Sequence, residues 1–197
     1  RLSLVGSEMC IRDRQKINQA YEEGIIIVAA AGNENALRYY YPASYAHVIS
    51  VTGANRFDEK ASGVTYCDSI DVCAPVGDPI EAENSPTSRC VMTAYLNNPH
   101  TLFPSAECNY HCHGYAFSEY WTSGAAAEVS GLAALLVSLY PRSLVHEMFP
   151  AQYSPQFYVD FIVSQMKRGC EPIIDGPDSL YANGQLGAGR INAYRSM

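Results

Sequence analysis

Two runs in this 197-residue chain carry side chains that together can perform acyl transfer. Trp121-Thr122-Ser123-Gly124-Ala125 leads into a long apolar stretch with helical spacing. Ser123 therefore offers a hydroxyl at a helix start, where backbone N–H groups lack partners and the helix dipole is positive. A tetrahedral intermediate formed there can set its oxyanion against the Ser123 N–H. About ninety residues upstream, Val28-Ala29-Ala30-Ala31-Gly32-Asn33 ends an apolar run in a carboxamide. An Asn side-chain N–H aimed at the same oxygen would be a second donor. Each run also has a plainer reading. Thr122 or Ser123 can simply cap the helix, and Gly32-Asn33 can simply turn the chain. A serine hydroxyl also needs an adjacent base, and neither run supplies one.

The elements that must hold these residues follow from periodicity. Residues 15–23 are polar and compatible with a short helix that Gly24 ends. Residues 25–31 are continuously apolar and β-branched or small, which predicts a strand buried on both faces of a parallel sheet. Residues 48–51 and 70–74 predict two further strands, the latter ending at Pro75. Residues 123–139 predict the main helix, with Ala125, Val129, Leu132, Leu136 and Leu139 as its apolar stripe and Pro141 as its stop. Its small residues, Ala125 to Ala127 and Gly131, predict close approach to a neighbour. Residues 158–167 predict a second amphipathic helix, 183–189 a Gly-rich turn and 190–196 a last helix. Strands alternating with helices predict a layered α/β domain.

Composition narrows the function. Hydrophobic residues at 48% and charged residues at 17% suit a folded core. A net charge of −7 argues against a nucleic-acid partner. No apolar run reaches the ~20 residues that span a bilayer. Residues 1–14 lead into no pattern, and 4–13 read as the in-frame translation of a sequencing adapter, so they are set apart from fold reasoning. That leaves six cysteines, Cys67, Cys73, Cys90, Cys108, Cys112 and Cys170. An even number predicts a disulfide-bonded secreted or extracytoplasmic protein, with fifteen pairings open. Residues 79–113 predict a surface insertion. Within it, Cys108, His111, Cys112 and His113 also have the types of a zinc site, though alternating His-Cys-His cannot all face one ion.

Taken in order, these segments resemble the subtilisin-like serine peptidases, or subtilases. The family's Ala-Ala-Gly-Asn strand stands at Ala30 to Asn33, and its Gly-Thr-Ser-Met-Ala-x-Pro-x-Val-x-Gly motif is matched at Thr122, Ser123, Ala125, Val129 and Gly131. Tyr41-Pro42-Ala43 through Ala54, Asp71-Val72-Cys73-Ala74-Pro75 and Leu186 through Ala193 resemble three more family segments. The resemblance implies a three-layer αβα domain with a mostly parallel sheet, of which residues 15–197 form the C-terminal part. It implies a serine endopeptidase acting on proteins or peptides, with Ser123 as nucleophile and Asn33 as oxyanion donor. Ala30, Ala31 and Gly32 would line the pocket for the residue before the scissile bond. Tyr40 would close its base and favour smaller side chains. No cofactor is implied for the chemistry. A structural calcium is implied at carbonyls near Ala43, Tyr45 and Val48, and a cis peptide at Tyr41-Pro42.

The departures bear on activity. Trp121 replaces a glycine, Gly124 a methionine, Ala127 a proline and Glu128 a histidine; Glu128 is expected to face the first helical turn and to suit the dipole. The family's triad Asp and His precede the Gly-Asn strand, and none of His47, His100, His111, His113 and His146 lies in a matching context. The fragment by itself is thus expected to be inactive. The alternative is a non-catalytic subtilase-like binding domain with Trp121 over the cleft.

Overall fold

A computed structural model describes residues 2–77, 91–94, 115–119, 121–174 and 180–197, excepting the side chains of residues 2–10 and of the 91–94 and 115–119 strands. Three parallel strands form the sheet: β1 (Ile27–Ala30), β2 (Val48–Ala54) and β3 (Val72–Pro75), in the order β1-β2-β3. Ile27 pairs with Val48 and Val51 with Val72. β2 is buried along its whole length, as the central strand of a layered fold must be. β1 departs from the expected burial on both faces. All four of its residues are only half-buried, because it lies at the sheet edge. Its own Val28 and the preceding Ile26 border an open groove with Ser130, Ala133, Ala134 and Val137.

Helices cover both faces of the sheet. α1 (Leu2–Glu22) begins well before the expected residue 15 and sets Ile17 against Tyr45, Val48, Ile27 and Ala29. On the other face, α2 (Thr122–Leu139) places Ala125, Val129, Leu132 and Leu136 over Ile49, Val51, Val72 and Ala74. This three- and four-residue spacing is the expected stripe, except that Leu139 is exposed. Gly131 likewise differs from expectation: a Cβ there would meet nothing within 4 Å among the described residues. At 18 residues α2 has the length and apolarity of a short membrane span, but a third of it is buried against this sheet. The sequence pattern missed α3 (Arg142–Met148), which Pro141 opens after ending α2.

α4 (Pro155–Arg168) packs Tyr158, Ile162 and Met166 into the same core. Ser154 caps it by accepting from the Phe157 N–H, and Gly169 ends it. α5 (Ala193–Ser196) is capped by Asn192, which accepts from the Arg195 N–H. The turn before it presses Gly187, at φ 64°, against the backbone of Asp71, where a Cβ would lie 2.4 Å away. Arg190 then ties the tail back through an ion pair to Asp58.

A short antiparallel pair, β4 (Val91–Ala94) with β5 (Tyr115–Glu119), brackets much of the expected insertion. Cys90, Cys108, Cys112, His100, His111 and His113 lie outside the described residues. Among the described cysteines, Cys67, Cys73 and Cys170 are free thiols. The Sγ of Cys73 donates to the Leu186 carbonyl and that of Cys170 to Met166. The disulfides expected from the even count are therefore not formed by these three. Both donor sulfurs have settled into backbone hydrogen bonds within the packed core instead.

Candidate active site

Parallel strands deliver the Gly32-Asn33 turn to the C-terminal end of the sheet, where open α/β folds bind ligands. α2 begins at that same end. Thr122 joins the two. Its backbone N–H and its hydroxyl both donate to Asn33 Oδ1, each at 2.9 Å. The same hydroxyl accepts from the Gly32 N–H at 3.2 Å. Because a backbone N–H only donates, Asn33 must present its oxygen to Thr122. Its two amide N–H groups are then directed elsewhere and have no partner among the described residues. The carboxamide thus caps α2 from outside and keeps its donor end available.

This arrangement decides against the capping reading of Ser123. The N-cap position belongs to Trp121, in extended conformation and without a side-chain cap bond. The Thr122 hydroxyl is spent on Gly32 and Asn33. Ser123 is exposed one residue further on, and its hydroxyl makes no hydrogen bond among the described residues. The structure therefore brings Gly32, Asn33, Thr122 and Ser123 together, with a free-standing hydroxyl beside a helix N-terminus and a carboxamide.

The turn itself is held by Thr65, a loop residue that no motif or periodicity singles out. Its N–H donates to the Gly32 carbonyl at 2.9 Å, and its Oγ1 accepts from the Glu34 N–H at 3.2 Å. The Thr65 carbonyl in turn accepts from the buried Thr52 hydroxyl at 2.6 Å. Gly32 sits at φ 111°, and a Cβ there would lie 2.7 Å from the Tyr40 ring. Tyr40 therefore packs flush against Gly32, on one side of the expected pocket. Ala30 is half-buried, while Ala31 is fully buried with Cys67 and Ile70. The Ala31 side chain is therefore taken up by the core. The Tyr41-Pro42 peptide is cis, as expected.

Two neighbours complete the description. Trp121 is exposed at the start of α2. Glu128 lies beyond the first turn, not in it, and burial pushes its carboxyl up to about 7. The favourable dipole expected for it is therefore outweighed by desolvation. Of the described histidines, exposed His47 stacks on Tyr21 at 3.8 Å and exposed His146 packs edge-on against Tyr153. His47 stands beside Val48, at the N-terminal end of β2 and thus opposite Asn33, and His146 stands on α3.

The profile of the Subtilase family matches residues 6–169. The chain belongs to that family. Thermitase from Thermoactinomyces vulgaris is 40% identical over 62 residues, which are 32% of this chain and 22% of thermitase. A thermostable alkaline protease from Halalkalibacterium halodurans is 27% identical over 174 residues, 88% of this chain and 36% of that protein. A solved protease from Pseudoalteromonas arctica superposes with a TM-score of 0.65 at 25% identity, over 93% of this chain and 45% of its own. The subtilase chain thus matches less than half the length of each of these relatives.

Proposed function

We propose that this subtilase chain is the nucleophile-bearing part of a serine endopeptidase. The observation that carries the proposal is the Thr122 bridge. It holds the Asn33 carboxamide by its oxygen, at the N-terminus of the helix on which Ser123 stands unengaged. In this reading the Ser123 Oγ attacks the scissile carbonyl carbon and expels the amine through an acyl-enzyme. The oxyanion rests between the Ser123 N–H and the Asn33 Nδ2–H. The base and its carboxylate partner come from sequence preceding residue 15, so residues 15–197 alone do not hydrolyse peptides. Residues 1–14 are foreign to the natural protein. The free thiols at Cys67, Cys73 and Cys170 leave any disulfides of an extracytoplasmic enzyme to Cys90, Cys108 and Cys112.

Tyr40 sets the substrate class. Its ring against Gly32 takes up space that a large side chain before the scissile bond would need. The complete natural protein is therefore expected to cleave peptide libraries after small residues, and Ser123→Ala to abolish cleavage. Preference for large aromatic residues would defeat the assignment of Tyr40. Intact folding with no cleavage by the unsubstituted protein would favour the binding-domain alternative, with exposed Trp121 standing over the cleft.

A further inference from the structure

The free side of β1 and the bare side of α2 meet in one groove. β2 takes one side of β1, and no described strand pairs with the other. The Ala31 N–H donates to the Val51 carbonyl of β2. Strand alternation then points the N–H groups of Val28 and Ala30 away from β2. Gly32, next in that outward set, donates to the Thr122 hydroxyl. Val28 and Ala30 have no such partner among the described residues. An unpaired strand edge is a template for another strand. Beside it, Ile26 and Val28 form a groove of about 300 Å³ with Ser130, Ala133, Ala134 and Val137 of α2. Glu128 is the one charged residue among the eighteen of α2, yet only a third of the helix is buried among the described residues. Leu135, Val137 and Leu139 are exposed, and a Cβ on Gly131 would meet nothing within 4 Å. A helix that is apolar all round belongs inside a fold.

We propose that the natural chain preceding residue 15 lays a fourth parallel strand along β1 and covers the bare side of α2. Three observations favour this occupant over a second copy or a separate partner. First, α1 leads directly into β1 and packs Ile17 on Ile27 and Ala29. In a parallel sheet such a helix is the crossover from an earlier strand. Successive strands usually lie side by side, and β2 already fills one side of β1, so the open side is left for the earlier one. Second, the C-terminal tail is seated at the other edge of the sheet, where Arg190 bridges to Cys73 of β3. Third, the 174 residues matched to the H. halodurans protease are only 36% of that protein, so a relative of this length has ample chain for the task. The inference rests on the reading above that residues 1–14 are foreign and that the catalytic base lies upstream. It adds where that upstream chain joins.

The test uses the complete natural protein carrying Ser123→Ala, which prevents self-digestion. Amide hydrogen exchange is read at single residues. The N–H groups of Val28 and Ala30 are expected to exchange at least about 10²-fold more slowly than in an unstructured chain. A smaller factor at both would overturn the proposal. The occupant is identified by placing the photocrosslinker p-benzoylphenylalanine at Val137, on the rim of the groove. Cross-links should join it to peptides that precede Gln15 in the natural chain. Capture of residues 78–114, or of a second copy revealed by mixing isotope-labelled with unlabelled protein, would overturn the proposal. So would the absence of any cross-linked peptide. If the Val137 form does not fold, the more exposed Leu135 takes the probe with the same expectations. Neither readout needs catalysis. Protected β1 amides in a protein whose Ser123 is not the nucleophile would leave this proposal standing, and unprotected ones would leave the assignment of Ser123 standing.

Discussion

Asn33 has two ends with two jobs, and substitution can separate them. Its Oδ1 caps α2 through Thr122, while its N–H groups are the proposed oxyanion donors. Asn33→Asp keeps an acceptor beside a helix N-terminus that favours negative charge. It should leave the stability within about 0.5 kcal/mol while removing the donor. Loss of one such donor lowers kcat by about 10²–10³, a magnitude established on a subtilisin itself. Asn33→Ala should show the same kinetic loss and also destabilise by about 1 kcal/mol. Equal melting losses for both variants would mean that the helix depends on more than the acceptor. Glu128 gives a second residue-level prediction. Its folded carboxyl titrates at about 7, against roughly 4.3 in an unfolded chain. Between those values the folded state holds a proton that the unfolded state has released, so stability falls as pH rises through this window. Because the carboxyl is only partly buried, solvent screening reduces the full linkage term, and Glu128→Gln should gain about 1–2 kcal/mol at pH 8 and nothing at pH 4. A gain equal at both pH values would contradict burial as the cause.

Between the residues and the fold stands the turn that Thr65 secures. Its hydroxyl accepts from Glu34 and its N–H donates to Gly32, so it fixes the element carrying Asn33 without reaching the substrate itself. Thr65→Val should cost about 1 kcal/mol for the lost hydrogen bond and lower kcat with KM nearly unchanged, and Thr65→Ser should restore both. A change confined to KM would place Thr65 in substrate binding instead. The major elements near the site were legible because their periodicities are strong: 48–51 and 70–74 as strands, 123–139 and 158–167 as helices. Thr65 was not, since a loop threonine has no pattern and its partners lie 31 and 33 positions away. The three-residue and four-residue stripe also misled at Leu139, where the helix outruns the sheet beneath it. β1 read as doubly buried because its composition is apolar, whereas burial depends on strand order, which local sequence does not encode.

At the scale of the whole molecule, a three-stranded parallel sheet with helices on both faces points its C-terminal edge at Ser123 and leaves one side of β1 unpaired among the described residues. The layered architecture followed from alternation of strand and helix patterns and is that of the Subtilase family. The cysteine count was less informative, because Cys67, Cys73 and Cys170 satisfy their sulfurs by burial and hydrogen bonds without pairing. Nor does parity reveal which thiols are close in space. If Ser123 is the nucleophile, covalent labelling will find it. The complete natural protein is treated with a fluorophosphonate, digested and mapped by mass spectrometry. One adduct is expected, on the peptide bearing Ser123, absent from Ser123→Ala and strongly slowed in Asn33→Asp. Peptide hydrolysis that proceeds with Ser123 unlabelled, or that survives Ser123→Ala, would contradict it.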